Sequence, residues 1–113
     1  MELEVGMYAR TNKGRIGRIT GISERYVEME WNNRWKDQYY KENIVKTSHN
    51  IKELLQVGDI ITYEFPTGLG MLKYENVTIL EDLLDVLKSI DEYEILSIVT
   101  KEQFLQMEYK VGE

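Results

Sequence analysis

Residues 26–40 constrain the fold more than any other stretch. In YVEMEW, Val27, Met29 and Trp31 alternate with Tyr26, Glu28 and Glu30, and RWKDQYY follows Asn32 and Asn33. A period of two is that of a β-strand, because successive side chains point to opposite faces, whereas a helix would scatter Val27, Met29 and Trp31 around its circumference. Asn-Asn tolerates the positive φ of tight hairpin turns. WNNRW is therefore expected to join two antiparallel strands whose apolar face looks inward.

A similar pattern precedes it. Met7 to Arg10 reads as a strand, and Thr11-Asn12-Lys13-Gly14 as a turn in which Gly14 supplies the left-handed conformation. The return strand, Arg15 to Ile22, contains Gly17 and Gly21, which suit bulges and tight coiling. By Val45 the chain has material for four or five short strands, enough for a small curved barrel.

LEVGMY, residues 3–8, is echoed by LQVGDI, residues 55–60, so a second unit is expected to begin as the first does. Ser48 or Asn50 is placed to cap a short helix over 51–55, followed by a β-run at 60–65, a turn at 66–70 and strand material at 71–80. EDLLDVLKSI, residues 81–90, sets Leu83, Leu84, Leu87 and Ile90 on one side and acids on the other, an amphipathic helix with its acids toward the positive end of the dipole. EILSIVT reads as a strand, Thr100 with Gln103 as a capping box for a helix over 100–107 carrying Phe104 and Met107, and 109–111 as a last strand. The expected class is α+β, mainly β. A small barrel over 1–47 is followed by a second β-rich unit over 48–113, elaborated by two short helices and packed on the first. The expected core comprises Val5, Ile16, Ile19, Val27, Met29, Trp31, Ile44, Leu55, Val57, Ile61, Leu84, Leu87, Ile98 and Phe104.

The composition, 42% hydrophobic and 30% charged, is that of a water-soluble globular chain, with no apolar run near the roughly 20 residues that span a bilayer. MELEVGMYAR has acids where a signal peptide carries lysines. Without cysteine there are no disulfides, thiolate metal sites or cysteine nucleophiles, and a cytoplasmic setting is expected. The net charge of -6 is divided unequally: residues 1–50 hold nine Lys/Arg against seven Asp/Glu, a net of +2, and residues 51–113 hold five against thirteen, a net of -8. Arg10, Lys13, Arg15, Arg18 and Arg25 form the basic stretch, and Glu81, Asp82, Asp85, Asp91, Glu92 and Glu94 the acidic one.

No catalytic pattern emerges. His49, the single histidine, has no second His or Cys with which to share a metal, so no metal site and no cofactor are expected. Asp91 and Glu92 lie on a charged connector, where nothing raises a carboxyl pKa for acid/base work. NKGRIGRITG lacks the strand-loop-helix setting of a phosphate loop, and PTGLG lacks the following Lys-Ser/Thr. Binding is the better-supported class. Arg15, Arg18 and Arg25 are suited to phosphates or carboxylates, and Tyr8, Tyr26, Tyr39, Tyr40, Trp31 and Trp35 to stacking or anchoring an interface. Trp31 is expected in the core, and Trp35 and Tyr40 either to bind a partner or to make the cross-strand aromatic pairs of any β-sheet.

VGMYARTNKGRIGRITGI resembles the opening of an SH3-like barrel of the KOW type, found in ribosomal and transcription-elongation proteins, over residues 5–22. VGMYARTNKGRIGRI, IVKTSHNIKELLQVGD and ILSIVTKEQFLQMEYKV together are similar to a group of short uncharacterised proteins of phages and prophages of Gram-positive bacteria. That likeness implies a mobile-element origin and life in a host cytoplasm, and carries over no active-site residues. The reading it supports is a non-enzymatic phage accessory protein that binds and modulates a host protein. Inhibition of a nuclease-based defence such as CRISPR is its most concrete form, with the acidic half competing for a nucleic-acid channel. The alternative is a nucleic-acid-binding module using the basic hairpin, which the net negative charge opposes.

Overall fold

The computed structural model describes residues 2–32, 34–66, 72–89 and 94–107. The described residues are mainly β with two α-helices, and the chain divides into two compact units, Met1–Leu54 and Leu55–Glu113.

Five antiparallel strands build the first unit: β1 (Tyr8–Thr11), β2 (Ile16–Ile22), β3 (Tyr26–Trp31), β4 (Trp35–Tyr40) and β5 (Ile44–Ser48). Their order across the sheet is β4-β3-β2-β1-β5, so among the described residues the sheet is open, with β4 and β5 at its edges. A single 3-10 turn, Lys41–Asn43, joins β4 to β5. The β3–β4 hairpin runs without a slip from the Tyr26–Tyr40 pair to the Trp31–Trp35 pair, and Asn32 takes the positive φ of 55° expected of its turn. Gly14 is left-handed at φ 86°, and a bulge opens between Ile19 and Gly21. Gly17 is a packing requirement, since a Cβ there would lie 2.8 Å from the carbonyl oxygen of Glu30. Ala9, Ile19, Val27, Met29 and Ile44 form the core, with Leu3, Met7 and Tyr39 against it.

In the second unit β6 (Ile60–Pro66) pairs with β7 (Leu72–Thr78) on one side and β8 (Glu94–Val99) on the other, both antiparallel. Leu55, Ile61, Tyr63, Ile79 and Leu87 form its core, and helix α1 (Glu81–Ser89) contributes Leu83, Leu84 and Leu87 to it. Helix α2 (Lys101–Met107) starts with the expected capping box: Gln103 N–H donates to Thr100 Oγ1 at 3.3 Å and Thr100 N–H to Gln103 Oε1 at 3.1 Å. The 3-10 turn Ile51–Leu54 is capped by Asn50, whose Oδ1 accepts from Lys52 N–H at 3.1 Å. Of the expected turn at 66–70, Pro66 is the last residue of β6, and 67–70 lie outside the described residues, as do Ile90 and the expected last strand at 109–111.

The echoed hexamers make the same local structure. Met7 N–H donates to Glu4 C=O at 3.2 Å and Asp59 N–H to Gln56 C=O at 3.1 Å, closing turns whose third residues, Gly6 and Gly58, have φ of 96° and 98°. This is the turn type that demands φ > 0 at its third position. Each glycine then donates to a buried isoleucine, Gly6 to Ile19 C=O and Gly58 to Ile79 C=O, and each isoleucine returns a bond to the next residue, Met7 or Asp59. A clasped turn leading into a hairpin opens both units.

The same geometry corrects two core assignments. Val5 and Val57, expected inside, occupy the second position of these turns, where the side chain projects outward, and are 62% and 44% exposed. Phe104 is 51% exposed because α2 is tied through hydrogen bonds at its N-terminus and buries none of its residues. Ile16, Trp31, Leu84 and Ile98 are half-buried rather than enclosed. Asp59 is wholly buried and anchors α2: its Oδ2 accepts from Gln56 N–H at 2.8 Å and its Oδ1 from Lys101 N–H at 2.9 Å.

Candidate aromatic and cationic interface on the third and fourth strands

Because opposed residues in an antiparallel pair share a face, the Trp31–Trp35 register stacks two indoles at the hairpin tip, with ring centroids 6.1 Å apart and planes 28° apart. Arg15, just before β2, lays its guanidinium over Trp31 at 3.9 Å from the ring centroid, and Arg34 lies 5.1 Å from the centroid of Trp35. The backbone N–H of Arg15 is held by Thr11 Oγ1 at 3.0 Å. Asp37, also on this face, accepts from Trp31 Nε1 at 3.1 Å. Burial raises the pKa of the Tyr39 hydroxyl above its ordinary value, and the Arg15 guanidinium hydrogen-bonded to it pulls the other way. Trp31 is thus neither core nor free surface. It is the fixed base on which the half-exposed Trp35 is stacked.

At the other end of the same strands Tyr26 and Tyr40 meet with centroids 4.9 Å apart. Hydrogen bonding to Tyr40, then the proximity of that second phenol, raises the pKa of the Tyr26 hydroxyl. Lys41 N–H donates to Arg25 C=O at 3.0 Å, joining the β2–β3 turn to the 3-10 turn, and a cleft of about 470 Å³ there is lined by Arg25, Tyr40, Lys41 and Glu42.

The basic residues identified from sequence do not form one patch. Arg15 joins the tryptophans and Arg25 the tyrosines, while Arg18 stands exposed opposite Glu30 and Tyr8, and Lys13 is exposed on the β1–β2 turn. Arg10 departs from its surface assignment. It is wholly buried, with Nη1 donating to Leu54 C=O at 2.9 Å, because the segment around Leu54 covers that part of β1. Arg34 and Asp37 were not singled out by the sequence reading. The signal available for Arg34 was its place beside Trp35 in a hairpin turn, where a guanidinium readily reaches the indole.

On the second unit Glu81, Asp82, Asp85 and Glu94 are all exposed, and Asp91 and Glu92 lie outside the described residues. The first unit holds ten Lys/Arg against eight Asp/Glu and the second four against twelve, so the division of charge follows the division into units. His49 is exposed, with Nε2 3.2 Å from Glu4 Oε2. Among the described residues there is no cluster of three or more groups able to hold a metal ion, and no helix long and apolar enough to cross a membrane. No family model matches the chain, and neither the curated proteins nor the solved structures contain a significant match.

Proposed function

We propose that this is a non-enzymatic accessory protein, of phage or prophage origin and acting in the host cytoplasm, that binds and modulates a host protein. The observation that carries the reading is the Arg15–Trp31–Trp35–Arg34 ladder. Tryptophan and arginine are the residue types that most often dominate binding energy at protein interfaces, and here their mutual stacking restrains both before a partner arrives. The first unit is read as an SH3-like small barrel, supported by the sheet order and by the 3-10 turn before the last strand.

The exposed acids of α1 and Glu94 supply a second surface of opposite sign, suited to a basic nucleic-acid groove on the partner, which connects this reading to inhibition of a nuclease-based defence such as CRISPR. Affinity capture from host lysate, with and without nuclease treatment, tests the class. The expected result is a host protein retained after nuclease treatment and lost with Trp35→Ala. Adding the purified protein to CRISPR effector complexes, with Asp82→Lys and Asp85→Lys as charge-reversed controls, tests the specific form. Absence of any protein captured through Trp35 would refute the reading.

Direct nucleic-acid binding is the second reading, favoured by guanidiniums held on indoles and by the exposure of Lys13 and Arg18 elsewhere on the unit. It requires affinity for DNA or RNA that falls steeply with salt, with the slope reduced by about one unit in Arg18→Ala.

A further inference from the structure

β4 is an edge strand of its sheet, and no other described strand pairs with its outer side. An edge presents a row of backbone donors and acceptors to any extended chain, and natural edges are blunted by bulges, prolines, very short length or charged side chains. Of these β4 has only the charged side chains, Lys36 and Asp37. It runs six residues in continuous register with β3, contains no glycine or proline, and exposes every residue except Tyr39. Its length is about 17 Å at the usual rise of an antiparallel strand.

The two aromatic–cation clusters stand at the two ends of this edge, on opposite faces of the hairpin. Trp35 is 50% exposed at one end and Tyr40 is 49% exposed at the other. At the tip, Arg15 and Arg34 outnumber Asp37, whose carboxylate is engaged with Trp31. At the foot, Arg25 and Lys41 outnumber Glu42. Between them Lys36 is opposite Glu30, while Glu28, which receives the Thr20 hydroxyl, is opposite the neutral Gln38. The edge is therefore cationic at its ends and carries no excess of positive charge at its middle. A guanidinium stacked on an aromatic ring keeps its in-plane N–H groups available, and those match a carboxylate.

Resting on the reading as a host-protein binder, we infer that β4 receives an extended segment of the partner as an added strand, with acidic side chains near both ends of the segment and β-branched or aromatic residues between them. Backbone pairing along β4 supplies affinity, and the two end clusters set specificity and register.

The test uses the full-length protein and a fluorescein-labelled peptide, Glu-Val-Thr-Val-Tyr-Glu, with the same peptide carrying lysine at both ends as control. Fluorescence anisotropy should show saturable binding of the acidic peptide, and binding of the lysine peptide weaker by about tenfold or more, as expected where like charge faces a cationic site. Trp35→Ala and, separately, Lys41→Glu should each weaken binding of the acidic peptide by on the order of tenfold, with circular dichroism confirming an unchanged fold. Hydrogen exchange should show amides of residues 35–40 slowed in the complex. Equal binding of the two peptides, no saturable binding at millimolar concentration, or binding that leaves the β4 amides exchanging as before would each overturn the inference. Host-protein capture through Trp35 with unprotected β4 amides would remove strand addition alone. Peptide binding without any captured host protein would remove the broader reading alone.

Discussion

Asp59→Ala removes a carboxylate that bonds two backbone N–H groups 45 residues apart in sequence, Gln56 and Lys101, at 2.8 and 2.9 Å. A hydrogen bond to a charged group contributes about 1.5–3 kcal/mol, and a buried donor left without its acceptor costs a further desolvation that overlaps this figure. Asp59 is fully buried, so water does not substitute freely. The expected loss is about 3–5 kcal/mol, a large fraction of the stability of a small domain. At about 4–8 °C per kcal/mol for a domain of this size, the melting midpoint of the second unit should fall by at least about 12 °C. Asp59→Asn retains one acceptor oxygen but turns an amide NH₂ toward the other donor, so it should lie between wild type and alanine. Far-UV circular dichroism in urea gives the free energies, and hydrogen exchange at Gln56 and Lys101 locates the loss. A change below about 1 kcal/mol for the alanine variant, or unaltered protection at Lys101, would refute the claim that this carboxylate joins α2 to the clasped turn.

Gly17→Ala should destabilise the first unit by roughly 1–3 kcal/mol, since the new methyl meets the Glu30 backbone, whereas Gly21→Ala, whose Cβ would sit 3.5 Å from the Glu28 Cβ, should be tolerated far better; urea titration compares them. Arg10→Ala should destabilise the first unit by about 2–4 kcal/mol through the stranded Leu54 carbonyl and the lost packing, while Arg18→Ala changes stability by less than about 0.5 kcal/mol. Tyr26 and Tyr39 should titrate above 10 in alkaline absorbance measurements, and Tyr40→Phe should move Tyr26 back toward its ordinary value. Because both folded-state values are raised, the stability linked to them is fully present below pH 10 and is lost as pH rises through the raised values.

The elements themselves were legible because each is specified by neighbours along the chain. The alternation at 26–31, the left-handed Gly14, the Thr100–Gln103 box and the amphipathic run at 81–89 are local patterns, and each gave the expected strand, turn, cap or helix at nearly the expected boundaries. The repeated Val-Gly pair was visible as an echo, but not its meaning. Leucine, valine and glycine in that order also suit a strand, and only the return bonds from Ile19 and Ile79 identify a turn that turns Val5 and Val57 outward. The candidate interface was legible in its ingredients and not in its grouping. Trp35, Tyr40, Arg15 and Arg25 were expected as candidate binding residues, but the register of β4 on β3 and the place of the strand at the sheet edge decide that they gather at two ends of one edge.

Arg10 and Asp59 mark the boundary most sharply. A charged residue near a glycine turn reads as surface because burying a charge without partners is prohibitive. The partners that permit it lie far along the chain, at Leu54 for Arg10 and at Lys101 for Asp59. Sequence by itself determined periodicity, turn chemistry and the separation of charge, all set by interactions over a few residues. Tertiary structure alone decided which polar groups are enclosed and which described strands stand at the edge of a sheet, because both depend on contacts between segments distant in the chain.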